Sequence, residues 1–149
     1  MKRFVADCML GRLARWMRYL GYDVLYFRDI EDRELVRIAR AENRVLLTRD
    51  RGITRRFSLE HYLVKHEDID SQIREILEVF PPEESQRSRC LLCNEVLLEV
   101  SNREDLMGRV PEYILNHHRQ FQQCPSCGRV YWEGTHYKRM EERLSQICS

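Results

Sequence analysis

The stretch Val45 to Arg51, VLLTRDR, constrains the fold more than any other part of the chain. Four residues suited to a fully buried strand run into Thr48 and Arg49, then a carboxylate, Asp50, and another arginine, Arg51. A short apolar run that follows a helical pattern and ends in a turn reads as an inner strand of a parallel sheet. Ligands of open α/β sheets bind beyond the carboxyl ends of such strands. Asp50 therefore stands where chemistry is usually done, and the question is whether other acids reach the same edge.

The residues before and after it follow a regular alternation. RFVAD reads as a strand ending on Asp7, and Leu10, Leu13, Ala14, Met17 and Leu20 recur at helical spacing, with Arg12, Arg15 and Arg18 read as a solvated opposite face. Gly21 suits the stop of that helix, Asp23 the turn after it, close enough to the acids to assist them, and VLYF a second strand. A helix is expected over 32–42, the strand over 45–48, a short helix over 51–57, a strand over 61–64 and a helix over 71–80. The order β-α-β-α-β-α-β-α implies a parallel sheet with right-handed crossovers, flanked by helices. Every strand-to-helix loop then opens on one edge, bringing together Asp7, Asp29 with Asp32, and Asp50. Carboxylates at one edge repel unless a cation lies between them, and hard cations such as Mg²⁺ or Mn²⁺ take such oxygen ligands. A metal held this way activates water against a phosphodiester, and Arg12, Arg49 and Arg51 are placed to hold flanking phosphates. Each acid also has a plainer use, since Asp29 or Asp32 could cap the second helix and Asp50 the third. Cys8 reads as a small buried residue.

Pro81, Pro82, Glu83, Glu84, Ser85 and Gln86 break the pattern. The expected division is an α/β domain over 1–80, a linker over 81–87 and a second domain over 88–149. In the latter, Cys90 and Cys93, then Cys124 and Cys127, form two C-x-x-C knuckles, a spacing that closes a tetrahedral structural Zn²⁺ site. Gly128 permits the tight turn after the second pair. Strands are expected near Glu95 to Val100 and Val130 to Trp132, a short helix within 109–121, and a last helix capped by Thr135. Arg129, Trp132, His136 and Lys138 form an aromatic and basic group suited to stacking bases and holding phosphates, or, alternatively, to packing.

Several classes are excluded by what is missing. No apolar run approaches the roughly 18 residues of a membrane helix, and no secretory leader is recognisable, so a cytoplasmic location is expected. Only Lys2, Lys65 and Lys138 are lysines, and the other basic side chains are arginine, which favours a nucleic-acid partner. No Walker loop, dinucleotide fingerprint or nucleophile elbow is present.

FVADCMLGRLARWMRYLGYDV, DIEDRELVRIAR and RVLLTRDR, followed by CLLC and CPSCGRVYWEGTHYKRM, resemble the Mut-seven C-terminal RNase family, a PIN-like nuclease domain joined to a zinc ribbon. The resemblance implies metal-dependent cleavage of RNA, with Asp7, Asp32 and Asp50 as metal-binding acids and Asp29 as a fourth or substitute. Asp68 stands at the position of a further acid. DNA is not distinguished from RNA by these motifs. An RNA-binding adaptor without turnover and a toxin-like RNase acting on one RNA are the competing expectations.

Overall fold

The computed structural model describes residues 2–133 and 135–148, the side chains of 135–137 and 148 excepted. Two compact units divide the chain, Met1–Asn94 and Glu95–Ser149.

The first unit is built on a parallel sheet of β1 (Phe4–Ala6), β2 (Val24–Tyr26), β3 (Val45–Thr48) and β4 (His61–Leu63), in the order β2-β1-β3-β4. Its register sets Ala6 beside Tyr26 on one side and Leu47 on the other, and Thr48 beside Leu63. All four strands therefore end at one edge. Helix α1 (Gly11–Tyr19) enters through a 3₁₀ turn over Cys8–Leu10, followed in turn by α2 (Asp32–Ala41), α3 (Arg51–Arg56) and α4 (Ile69–Val79). Val5 and Leu46 pack with Leu35, Val36 and Ala39 of α2 and Ile53 of α3. Side chains alternate faces along a strand, and Phe4, next to Val5, instead meets Phe80 edge-on with ring centroids 4.9 Å apart. The helices thus cover both faces of the sheet, as the alternation requires.

Three readings of single residues change. Arg18 is not solvated: it is 6% exposed, and its guanidinium donates to the carbonyls of Val24 and Leu91. A long stem can bury its methylenes when carbonyls at strand and loop ends satisfy the head. Cys8 is exposed, because it opens the 3₁₀ turn beyond the sheet and not a strand position. Asp23 precedes β2 and so lies at the amino ends of the strands, away from the acids that follow them. There its Oδ1 accepts from Arg44 (2.8 Å) and Asn94 (2.7 Å). Burial pushes this carboxyl up, but those hydrogen bonds and the charges of Arg44 and Arg89 outweigh it and hold the group below its ordinary value.

Residues 81–94 are fastened to this unit. Gln86 Nε2 donates to the carbonyl of Leu20, Arg89 N to that of Arg18, and Asn94 Oδ1 accepts from Val24 N. Gly21 has φ +93, and a Cβ there would lie 2.5 Å from the carbonyl oxygen of Arg87. That close approach, together with the left-handed backbone, is what requires glycine.

The second unit contains an antiparallel sheet of β5 (Leu98–Glu99), β6 (Phe121–Gln123) and β7 (Val130–Trp132), the helix α5 (Glu112–His117), and α6 (Thr135–Cys148). Phe121, Leu106 and Val110 form its small core, with Trp132 and Ile114 packed around them. Among the described residues no helix is long and apolar enough to cross a membrane.

Candidate active site and metal centre

The carboxyl edge of the parallel sheet gathers the expected acids, but it holds them in three different ways. Asp7 follows β1 directly and is 7% exposed. Its Oδ1 accepts from Met9 N at 2.9 Å, capping the 3₁₀ turn, and its Oδ2 accepts from the Thr48 hydroxyl. Asp50, exposed after β3, caps α3 by accepting from Gly52 N at 2.7 Å, and its own N donates to Thr48 Oγ1 at 2.9 Å. Thr48 thus joins the two acids: one hydroxyl gives its proton to Asp7 and receives that of the Asp50 amide. The cause is local, because β1 and β3 are neighbours in register and Asp7 N also donates to the Leu47 carbonyl.

Asp32 sits in the first turn of α2, whose preceding residue, Glu31, makes no side-chain cap. Its Oδ2 is paired with the guanidinium of Arg56 from α3. Asp29 is exposed on the β2–α2 connection. Among the described residues, the four aspartates of this edge do not form a group whose oxygens converge on one point.

The arginines differ as well. Arg12 and Arg51 are exposed near the edge. Arg49 is spent on the loop after β4, donating to the carbonyls of Val64 (3.1 Å) and His66 (2.5 Å) and pairing with Glu67 at 3.6 Å. The same loop is held from α4 by Glu75, 6% exposed, whose carboxylate accepts from Tyr62 Oη (2.6 Å), Lys65 N (2.8 Å) and His66 Nδ1 (2.9 Å). Burial raises that carboxyl and the hydrogen bonds from Tyr62 and His66 more than reverse it, so it lies below its ordinary value. Asp68 caps α4 by accepting from Ser71 N at 2.9 Å. Its carboxyl is lowered by those hydrogen bonds.

The sulfurs of Cys90, Cys93, Cys124 and Cys127 do converge, all within 4.8 Å of one another. Tetrahedral thiolates around Zn²⁺, at about 2.3 Å each, stand about 3.8 Å apart, so the cluster fits that ion. The two knuckles repeat one geometry. Cys93 N lies 3.4 Å from Cys90 Sγ and Cys127 N lies 3.4 Å from Cys124 Sγ, each donating to sulfur. Asn94 N and Gly128 N close the turns onto the carbonyls of Cys90 and Cys124, at 2.9 Å in both. Asn94 (φ 68) and Gly128 (φ 78) share the left-handed conformation this demands. Thiolates gain from N–H donors aimed at them, which suits a bound divalent cation.

A family model described as the Mut7-C RNAse domain matches residues 2–144. The chain belongs to that family. No curated protein and no solved structure matches it. The Mut7-C match runs through both the acidic edge and the cysteine cluster, and it joins this chain to a family of RNases.

Of the other residues expected to meet nucleic acid in this Mut7-C chain, Arg129 and Lys138 are exposed. Trp132 is half-buried against Phe121, ring centroids 6.4 Å apart, so much of its ring is packing. His136 falls within α6, and its side chain lies outside what the structure describes. Four residues with a part in the architecture gave no sequence signal of their own: Thr48, Glu75, Asn94 and Arg56. Asn94 had the nearest thing to one, because asparagine directly after C-x-x-C tolerates φ above zero as glycine does.

Proposed function

We propose that this Mut7-C chain is a Mg²⁺- or Mn²⁺-dependent ribonuclease that hydrolyses RNA phosphodiester bonds at the carboxyl edge of its parallel sheet. The observation that carries the reading is the Asp7–Thr48–Asp50 arrangement on adjacent strands. Each carboxylate oxygen has two acceptor positions. Asp7 uses one of them on Met9 N and one on Thr48, and Asp50 uses one on Gly52 N. Acceptor capacity for a hard cation therefore remains on both, at oxygens already fixed in direction, and the donor set is the one Mg²⁺ and Mn²⁺ prefer. Bound there, the cation supplies an activated water and offsets the charge on the phosphodiester.

The chain's own residues do the rest. Thr48 keeps Asp7 and the Asp50 backbone at one spacing. Asp32 is the third acid of the set, and Asp29 stands beside it. Arg12 and Arg51 hold the flanking phosphates. Zn²⁺ on the four cysteines keeps the second unit folded, and Arg129, Trp132, His136 and Lys138 help seat the RNA.

The test is incubation of the zinc-bound protein with labelled single-stranded RNA and matched DNA, with Mn²⁺ or Mg²⁺, beside the Asp7→Asn Asp50→Asn variant. Cation-dependent fragments made by the wild type alone are the expected result. A second reading, an RNA-binding adaptor, is favoured by one observation, the pairing of Asp32 with Arg56 in place of convergence with the other acids. Intact RNA, shifted equally by both proteins and indifferent to the cation, would establish the adaptor instead.

A further inference from the structure

Arg56 and Asp32 are 24 residues apart in sequence, yet they meet because two helices share one core. Leu35 and Val36 of α2, Ile53 of α3 and the partly buried Phe57 belong to the same apolar cluster. That packing sets the start of α2 beside the end of α3 whatever the charges do. Arg56 is further steered by Phe57, whose ring centre lies 5.5 Å from the guanidinium carbon, and by the Gly52 carbonyl, 3.4 Å from its Nε.

The pair is open to solvent, with side-chain exposures of 58% for Arg56 and 45% for Asp32. It lines an open depression of about 630 Å³ with Ile30, Glu31, Arg33 and Phe57. An ion pair this exposed is weakly held. A guanidinium gains more from the paired oxygens of a phosphate, which match its planar fork. The three acids are also unequal. Asp7 and Asp50 are engaged by hydroxyl and amide donors, which leave their charge in place. The carboxylate of Asp32 is matched by a full positive charge.

We propose that Arg56 is a counter-ion latch, holding Asp32 out of the acidic site in the resting chain and releasing it when an RNA phosphate entering the depression takes the guanidinium. This rests on the ribonuclease reading and makes Arg56 a positioning residue for it. One arginine would then serve two steps. It lowers the repulsion among unliganded acids, and it makes completion of the acid set depend on substrate. RNA and the cation should accordingly favour each other's binding.

The test uses the full zinc-bound chain and two measurements that need no turnover. Calorimetric titration with Mn²⁺, without RNA, should show Arg56→Gln binding about two- to fivefold tighter than wild type, the range an exposed pair supports. The gain should vanish when Asp32→Asn is added, which separates the latch from a general loss of positive charge. Anisotropy of a labelled single-stranded RNA, without added divalent cation, should move the opposite way. Asp32→Asn should tighten RNA binding by a similar factor, and Arg56→Gln should remove that gain.

Equal Mn²⁺ affinity in wild type and Arg56→Gln overturns the latch, as does a gain that survives Asp32→Asn, or RNA binding indifferent to Asp32. Those results leave the ribonuclease reading standing provided Asp7→Asn still weakens Mn²⁺ binding. Absence of any Mn²⁺ binding that depends on Asp7 removes both.

Discussion

Asp23→Ala tests a buried polar cluster at the amino ends of the strands in the first unit. One oxygen of Asp23 accepts from Arg44 Nη1 at 2.8 Å and Asn94 Nδ2 at 2.7 Å. Arg44 is 6% exposed, and Asp23 itself is 17% exposed. Removing one partner of a buried ion pair costs about 3–5 kcal/mol, chiefly because the other charge is left in the interior. Here Arg44 keeps the Phe4 carbonyl at 3.0 Å and Glu42 at 3.1 Å, and water reaches part of the site. The expected loss is therefore smaller, about 2–3 kcal/mol. Urea unfolding of the zinc-bound protein at neutral pH, followed through Trp16, measures it; Trp132→Phe in both proteins leaves that residue as the reporter. Arg44→Met should lose less stability in the Asp23→Ala background than alone, because the two changes break one contact. A loss under about 0.5 kcal/mol, within the range of ordinary surface substitutions, or strict additivity with Arg44→Met, would refute the argument that this cluster fastens the first knuckle to β2.

Gly21→Ala should lower the melting temperature more than an ordinary glycine substitution, by about 2–4 kcal/mol of stability, since strain at φ +93 adds to a 2.5 Å clash with a backbone oxygen; an unchanged melting curve would contradict the close approach of residues 86 and 87. Chelation of zinc should abolish hydrogen-exchange protection in β6 and β7, whose core is too small to hold itself, and metal analysis should give one zinc per chain with four cysteine ligands. Persistent protection after complete zinc removal would count against that role. Tyr22 is pushed up to about 12 by burial, and Tyr62 to about 12 by burial and the Glu75 carboxylate. Both exceed their unfolded value near 10, so the stability they contribute is full below about pH 10 and is lost as the pH rises through about 12. Tyrosinate absorbance should show these two ionising after the rest and together with unfolding; early titration of all the tyrosines would exclude their burial.

Much of the fold was legible because its signals are local. The apolar run over 45–48 became β3 residue for residue, and the helix expected over 32–42 spans Asp32–Ala41. A fully buried strand and a strongly amphipathic helix each write their environment into consecutive residues. The second unit was less legible. The strand expected over Glu95 to Val100 reduces to Leu98–Glu99, and β6, Phe121–Gln123, carries two glutamines and gave no strand pattern. It pairs because Cys124 must return the chain through the knuckle to β7.

The acids show the same division at finer scale. That Asp7, Asp29, Asp32 and Asp50 follow successive strands of a parallel sheet, and that four cysteines lie at zinc-knuckle spacing, are facts of order and spacing along the chain, and sequence alone determined them. Tertiary structure decided what each group meets. It set Thr48 between Asp7 and Asp50, gave Asp32 to Arg56, buried Arg18 among carbonyls, and used Asn94 as both a knuckle turn and a partner of β2. Those choices depend on strand register and on which helices share a core, and such long-range contacts leave no periodic mark on the residues that make them.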